Sequence, residues 1–334
     1  MIKRIVGAPY VLALLVISAG TVAGCSRQSE SSQGAAETPA ATAATEAAAP
    51  ASEEKAFATF TIGELTATAL RDGGLDFPND NKILGVGRTP EEVAAVLTAA
   101  GQPGDKAHLD IQPLLVKAGD RTLLFDTGAG TNMGPSGGQL LAAFTAAGVD
   151  PQSVTDIFIS HIHGDHVGGL VNSEGALVFP NATVHLSTPE WAFLKGMNTE
   201  AASNVGLPQH AALVAALSPK VKEFKPGAEI IPGVVKAVEI RGHTPGHSGY
   251  LITSGSSSLL YIGDAMHHSV VSVQKPEWTI AFDTDAATSQ ASRGELLARS
   301  AESRQRIYGV HFPFPGVGKI ERRDEGFVWV PEQH

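Results

Sequence analysis

Ile157-Phe158-Ile159-Ser160-His161-Ile162-His163-Gly164-Asp165-His166 is an apolar run that breaks into three histidines and an aspartate within six positions. Residues 156–160 read as a short buried strand, and Gly164 with Gly168-Gly169 gives the following turn room to bring several side chains around one point. Imidazole nitrogen and carboxylate oxygen are ligands for zinc and similar divalent ions. No thiol lies nearby, which argues against a finger-type structural site.

A lone His-x-His pair is weak, but further ligand types stand at the ends of other apolar runs. His243 lies in Arg-Gly-His-Thr-Pro-Gly-His (241–247), Asp264 ends Leu-Leu-Tyr-Ile-Gly-Asp (259–264), and His311 lies in Tyr-Gly-Val-His-Phe-Pro-Phe-Pro-Gly (308–316). Each follows a strand-like segment and enters a Gly or Pro turn.

Taken together, the H-x-H-x-D-H cluster, G-H-T-P-G-H, G-D and the late histidine resemble the metallo-β-lactamase superfamily of hydrolases, over about residues 57–331. Phe57-Ala58-Thr59-Phe60-Thr61-Ile62-Gly63-Glu64-Leu65, Leu124-Phe125-Asp126-Thr127-Gly128 and His311-Phe312-Pro313-Phe314-Pro315-Gly316 resemble its methyl parathion hydrolase and lactonase-like branch. The resemblance implies an α/β fold, a four-layer αββα sandwich with metals at the edge where both sheets end. It also implies that His161, His163 and His243 hold one ion, that Asp165, His166 and His311 hold another, and that Asp264 bridges them. In that pattern His247 is a packed residue beside the ligands. Members that reduce oxygen on two irons carry Glu where this chain has His163, so hydrolysis is favoured and zinc is the default metal.

Two cations about 3.5–4 Å apart lower the pKa of a shared water and polarise the bond it attacks. The resemblance therefore implies a hydrolase that uses a bridging hydroxide on two divalent ions, most simply Zn2+, to cleave a small ester-like molecule. Lactones or aryl esters lead, phosphotriesters follow, and β-lactams come third. Met133 stands near where the parathion-hydrolysing branch carries an aromatic, a departure that counts against phosphotriesters. Either Asp165 or a metal-bound water is read as the group that returns a proton to the leaving group. His267 lies three residues beyond Asp264, where lactonase members carry a substrate-facing tyrosine. It reads either as a contact to the substrate or as a loop histidine beside His268. Asp126 reads either as an acceptor for a ligand histidine or as a turn aspartate, and Trp191 either as a cover over the metals or as a helix aromatic. A rival from another class is a tethered metal-binding protein without turnover.

At the other end, Lys3-Arg4 precedes an apolar segment, and Thr21-Val22-Ala23-Gly24-Cys25-Ser26 resembles a bacterial lipobox. Residues 1–24 are read as a signal peptide, with Cys25 lipidated; a membrane-spanning helix is the alternative. Cys25 is the only cysteine, so no disulfide forms within the chain. Residues 25–55, rich in Ala, Ser, Thr, Glu and Pro, cannot bury enough surface to order and read as a tether spanning roughly 30 Å. The expected location is a bacterial envelope, facing the periplasm, and Ser26 resembles an outer-membrane sorting signal. Oligomeric state is not legible.

Residues 56–334 suffice for one large α/β domain. Strand-like segments fall at 65–71, 111–116, 122–126, 156–160, 183–187, 234–240, 250–253 and 259–262. Thr89-Pro90-Glu91-Glu92, followed by an apolar pattern and Gly101, is a helix with its cap; 139–147 and 288–306 also read as helical. Leu115, Gly119, Leu123, Leu124 and Phe125 echo in Leu251, Gly255, Leu259, Leu260 and Tyr261, suggesting two related hairpins. The net charge of −10 leaves no basic face, which excludes nucleic acid as a partner. Glu321-Arg322-Arg323-Asp324-Glu325 reads as a solvated turn.

Overall fold

The computed structural model describes residues 55–333. The signal peptide, Cys25 and the tether up to residue 54 lie outside the described residues. Two seven-stranded sheets face each other. The first runs, in spatial order, Phe57–Ile62, Leu65–Leu70, Leu114–Ala118, Arg121–Phe125, Asp156–Phe158, Thr183–Ser187 and Val221–Phe224; the second runs Glu229–Ile231, Val235–Glu239, Ser248–Ser254, Ser257–Tyr261, Arg306–Tyr308, Val317–Arg323 and Gly326–Pro331.

Strand alternation explains the layering. Leu114, Val116, Leu123 and Phe125 of the first sheet point into one core with Tyr250, Ile252, Leu259 and Tyr261 of the second. Their neighbours Leu115 and Leu124 face the other way, toward helices Leu140–Ala146, Thr188–Gly196 and His210–Leu217. Leu260 likewise turns outward, onto Leu296 and Leu297 of helix Ala286–Ser303. Period-two patterning with both sheet faces covered yields three apolar slabs between four layers. The expected αββα sandwich is what forms. The middle slab is closed by Phe125 stacked on Phe158, with ring centroids 4.9 Å apart, and by Tyr261 stacked on Tyr308 at 5.6 Å.

The hairpin echo is real. Leu114–Ala118 with Arg121–Phe125 and Ser248–Ser254 with Ser257–Tyr261 occupy the third and fourth places of their sheets, and each hairpin pairs parallel with the fifth strand. Gly119 and Gly255 turn them at φ 62° and 58°, a conformation that side chains resist.

Other expectations are corrected. The segment 111–116 is not one strand: Lys106–Ile111 pairs with Gly73–Pro78 in a separate two-stranded sheet, and Leu114–Ala118 belongs to the first large sheet. Pro113, which lacks an N–H, sits at the break. The charged cluster at 321–325 is only partly a turn, because Val317–Arg323 pairs with Gly326–Pro331 and leaves Asp324 and Glu325 as the hairpin tip. Helix Pro90–Ala99 has the expected start: Thr89 Oγ1 accepts from Glu92 N, and Glu92 Oε2 accepts from Thr89 N. Among the described residues no helix is long and apolar enough to cross a membrane.

Candidate metal centre

All the candidate ligands sit just beyond strand ends. His161 and His163 follow Asp156–Phe158, and Asp165 and His166 lie on the short turn of helix Gly164–Val167. His243 follows Val235–Glu239, Asp264 follows Ser257–Tyr261, and His311 follows Arg306–Tyr308. The glycines make the close approach possible. A Cβ on Gly164 would collide with Gly206 O, and Cβ atoms on Gly168 and Gly169 would collide with the carbonyls of Ala129 and Thr127.

The candidate ligands form two clusters, one of His161, His163, His243 and Asp264, the other of Asp165, His166 and His311; a third group of possible ligand atoms, His243, His267 and Asp283, shares His243 with the first. His243 Nε2 lies 3.0 Å from both His161 Nε2 and His163 Nδ1. Asp264 faces both groups. Its Oδ2 is 3.3 Å from His243 Nε2 and 3.6 Å from His161 Nε2, while its Oδ1 is 3.2 Å from His166 Nε2 and 3.1 Å from His311 Nε2. Asp165 Oδ2 completes the second group, 3.5 Å from His311 Nε2 and 3.6 Å from His166 Nε2.

These spacings fit a divalent cation. Four ligands at 2.0–2.1 Å in a tetrahedron stand about 3.3 Å apart, close to the separations within each group. Hydrogen bonding alone does not account for the arrangement, since His166 Nε2 and Asp264 Oδ1 are buried with no hydrogen-bond partner among the described residues.

The outward nitrogens are held in place. His166 Nδ1 is 2.8 Å from Asp126 Oδ2, His243 Nδ1 is 3.0 Å from Asp283 Oδ1, His311 Nδ1 donates to Asp110 O at 2.7 Å, and His161 Nδ1 is 3.1 Å from Ser160 Oγ. Such contacts fix ring orientation and leave Nε2 facing the cluster. Asp126 is thus placed against His166, a candidate ligand, as the first of its two readings expects. His247 is not part of either group: its Nε2 accepts from Asp264 N at 2.9 Å and its Nδ1 lies 3.0 Å from Ile240 O, so it shapes the turn that carries Asp264.

The electrostatics suit a cation. Burial, then the neighbouring imidazoles, push His161 and His163 well below the ordinary histidine range, and burial takes His243 down to about 4. Burial alone would raise Asp264, but His166 and His311 hold it well below the usual carboxylate range. His161, His163 and His243 are thereby held neutral, the form a metal ligand takes. Burial alone would lower His166 and His311, whereas Asp264 and Asp165 outweigh it and push both above the ordinary histidine range.

His267 lies in the bend that follows Asp264 and is buried there. Its side chain is 1 % exposed, its Nε2 lies 3.1 Å from Asp264 Oδ2, and its ring packs parallel to His311 and beside Phe282. Neither ring nitrogen has a hydrogen-bond partner among the described residues. Its neighbour His268 turns away, and its Nδ1 accepts from Val270 N and Val271 N. Trp191 is a core residue and not a cover: it is buried with Ile162 and Val167 in the outer slab, and Lys195 Nζ sits 5.1 Å above its ring.

Several residues that support the centre carry no local signal in the sequence. Asp283 accepts from the buried Arg293 at 2.8 Å as well as contacting His243. Asp72, buried, takes N–H groups from Ala129, Gly138 and Leu140 and so fixes the loop beside the site. Glu190 accepts from Ile162 N, Thr244 Oγ1 and Gly246 N. Burial raises Glu190 to about 7 against the pull of these three donors. Their partners lie far away in the chain, so only a motif for the whole constellation, and no local pattern, could have flagged them.

A family model for the metallo-beta-lactamase superfamily matches residues 111–320. Among solved structures, AidC, described as a dizinc quorum-quenching lactonase in complex with a product, is 29 % identical at TM-score 0.78, covering 83 % of this chain and 98 % of its own. The hydrolase AbOPH, described as lying in the beta-lactamase superfamily, is 29 % identical at TM-score 0.74, covering 84 % and 98 %. A probable metal-dependent hydrolase from Staphylococcus aureus, 18 % identical, shares the fold at TM-score 0.66 over 82 % and 99 %. No match of significance is found among curated proteins. A two-sheet sandwich with histidine and aspartate clusters at the ends of its strands, matched over most of its length, belongs to the metallo-beta-lactamase superfamily, among the metal-dependent hydrolases.

Proposed function

We propose that the protein is a dinuclear metal hydrolase for small ester-like substrates, with lactones or aryl esters first. The observation that carries this reading is Asp264, whose two oxygens each face a separate histidine group. His161, His163 and His243 would hold one ion, Asp165, His166 and His311 the other, with Asp264 shared and zinc the metal of choice. Bound there, two divalent ions supply an activated water and Lewis acidity toward the carbonyl that is attacked.

The chain's own groups do the rest. His267, with both ring nitrogens unpartnered beside Asp264, offers a hydrogen bond to the substrate carbonyl or leaving oxygen. Asp165, 13 % exposed at its side chain, is less enclosed than Asp264, at 4 %; with Oδ2 turned to His166 and His311, its other oxygen would take the proton that the attacking water loses and pass it to the departing alkoxide. Phe282, an exposed aromatic beside His267, gives the mouth an apolar wall. Lactones lead because AidC, similar over most of this chain, is described with N-hexanoyl-L-homoserine as its product. Phosphotriester and β-lactam cleavage follow in that order, and a tethered metal-binding protein without turnover is the rival.

Purified protein is to be assayed for metal by mass spectrometry and offered aryl esters, acyl-homoserine lactones, a paraoxon-like triester and a chromogenic β-lactam. Two metals per chain with lactone or aryl ester turnover is the expected result. Metal without turnover on any of them overturns the enzymatic reading in favour of the binding protein.

We also propose that residues 1–24 direct export, that Cys25 carries lipid, and that residues 25–55 hold domain 56–334 off a bacterial membrane on its periplasmic side. Cys25→Ser is expected to move the protein from the membrane to the soluble fraction. An unchanged partition would count against the anchor.

A further inference from the structure

Glu190 occupies the third position of helix Thr188–Gly196, after the N-cap Ser187. A glutamate there ordinarily reaches back to the cap residue's N–H, as Glu92 does to Thr89 in helix Pro90–Ala99. Glu190 does not. Its Oε1 takes Ile162 N at 3.0 Å, and its Oε2 takes Thr244 Oγ1 at 2.9 Å and Gly246 N at 2.8 Å. Ile162 stands between His161 and His163, and Thr244 follows His243. One carboxylate therefore ties together the two loops whose histidines converge at 3.0 Å.

Two further observations set this apart from ordinary capping. The side chain is fully buried with no cationic partner among the described residues, so its ionised form rests on the three neutral donors alone. The loop is also shaped to meet it: a Cβ on Gly246 would collide with the Glu190 backbone nitrogen and Ser187 Oγ, and Ser187 Oγ donates to Gly246 O at 2.7 Å.

Resting on the dinuclear reading above, we propose that Glu190 is a positioning residue, which sets the spacing between the His161–His163 loop and the His243 loop and thereby the cation affinity of that side of the centre. It touches neither substrate nor metal. In Glu190→Gln one end of the amide must present N–H to a backbone N–H, either at Ile162 or at Gly246, so the clamp opens at one loop while size and burial are kept.

The test measures zinc affinity by competition with a chromophoric chelator, alongside the melting temperature of metal-free protein. It uses the full chain and the variants Glu190→Gln and Thr244→Val. Thr244→Val removes one of the three donors and leaves the carboxylate in place, which keeps the test open should Glu190→Gln fail to fold. Glu190→Gln is expected to weaken the tighter zinc step roughly ten- to hundredfold, with Thr244→Val changed in the same direction by less. A purely structural clamp would lower the melting temperature of the metal-free protein and leave zinc affinity where it was. That result in either folded variant overturns the proposal. If the wild-type chain itself binds no zinc, it is the dinuclear reading that fails, an outcome distinct from the first.

Discussion

Asp126 and His166 are joined through a 2.8 Å contact between Oδ2 and Nδ1, at a carboxylate that also takes Ser160 N, Ser160 Oγ and Tyr261 O–H. Asp126 stands at φ 57°, which Asn tolerates as well as Asp. Asp126→Asn thus keeps the backbone and removes the charge. Zinc affinity should fall about ten- to hundredfold at the His166 side, read by chelator competition. Unchanged affinity would show that the contact only packs the ring.

His267→Phe keeps an aromatic ring beside Phe282 and His311 and removes both nitrogens. For the best ester or lactone substrate, kcat/KM should drop by about a hundredfold, while metal content stays the same. If turnover is unaffected, His267 does not touch the reacting atoms.

His268 gives the stability a pH dependence apart from the metal ligands. Burial, and after it the charge of His108, lowers His268 from 6.5 to about 4. The unfolded chain then binds a proton that the folded one refuses, so stability is full above pH 6.5 and is lost as pH falls toward 4. The shift corresponds to about 3 kcal/mol. Urea unfolding of metal-free protein across this window should be steeper in pH for wild type than for His268→Asn, whose amide oxygen still accepts from Val270 N. Parallel curves would remove His268 from the account. His161, His163, His243 and His247 act in the same direction in both proteins and cancel in the comparison.

Phe158 is fully buried in the middle slab, stacked on Phe125 on one side and on His185 on the other, with centroids 4.9 and 4.8 Å away. Phe158→Ala leaves a void between the sheets. A loss of about 3–5 kcal/mol is expected from chemical denaturation, and a cost under about 1 kcal/mol would mean that the sheets close over the gap.

Much of this architecture could be read from the chain because the residues that carry it are patterned. Leu123-Leu124-Phe125 and Leu259-Leu260-Tyr261 alternate between two cores, and Gly119 and Gly255 mark the turns between their strands. The candidate ligands stand out because each lies just past an apolar run. The last two strands were not legible, since Val317–Arg323 ends in the exposed run Glu321-Arg322-Arg323 and Gly326–Pro331 is half-covered along nearly all its length with no alternation. Nor was the split at Pro113, where one apolar stretch feeds two sheets. Glu190 stands at a helix-capping position and Asp283 in a loop, neither of which marks a role at the site. Their partners lie 56 and 40 positions away, at Gly246 and His243, and hydrogen bonds of that range leave no periodic trace.

The ligand-bearing turns belong to both sheets, with His161 to His166 in the first half of the fold and His243, Asp264 and His311 in the second. A chain in which only one half has condensed owns fragments of each basket and the whole of neither. On the dinuclear reading, cation capture would therefore be a late event, following the meeting of halves that sequence keeps up to 150 residues apart. Ions captured there would rivet that meeting shut, and their release would loosen the two halves from each other.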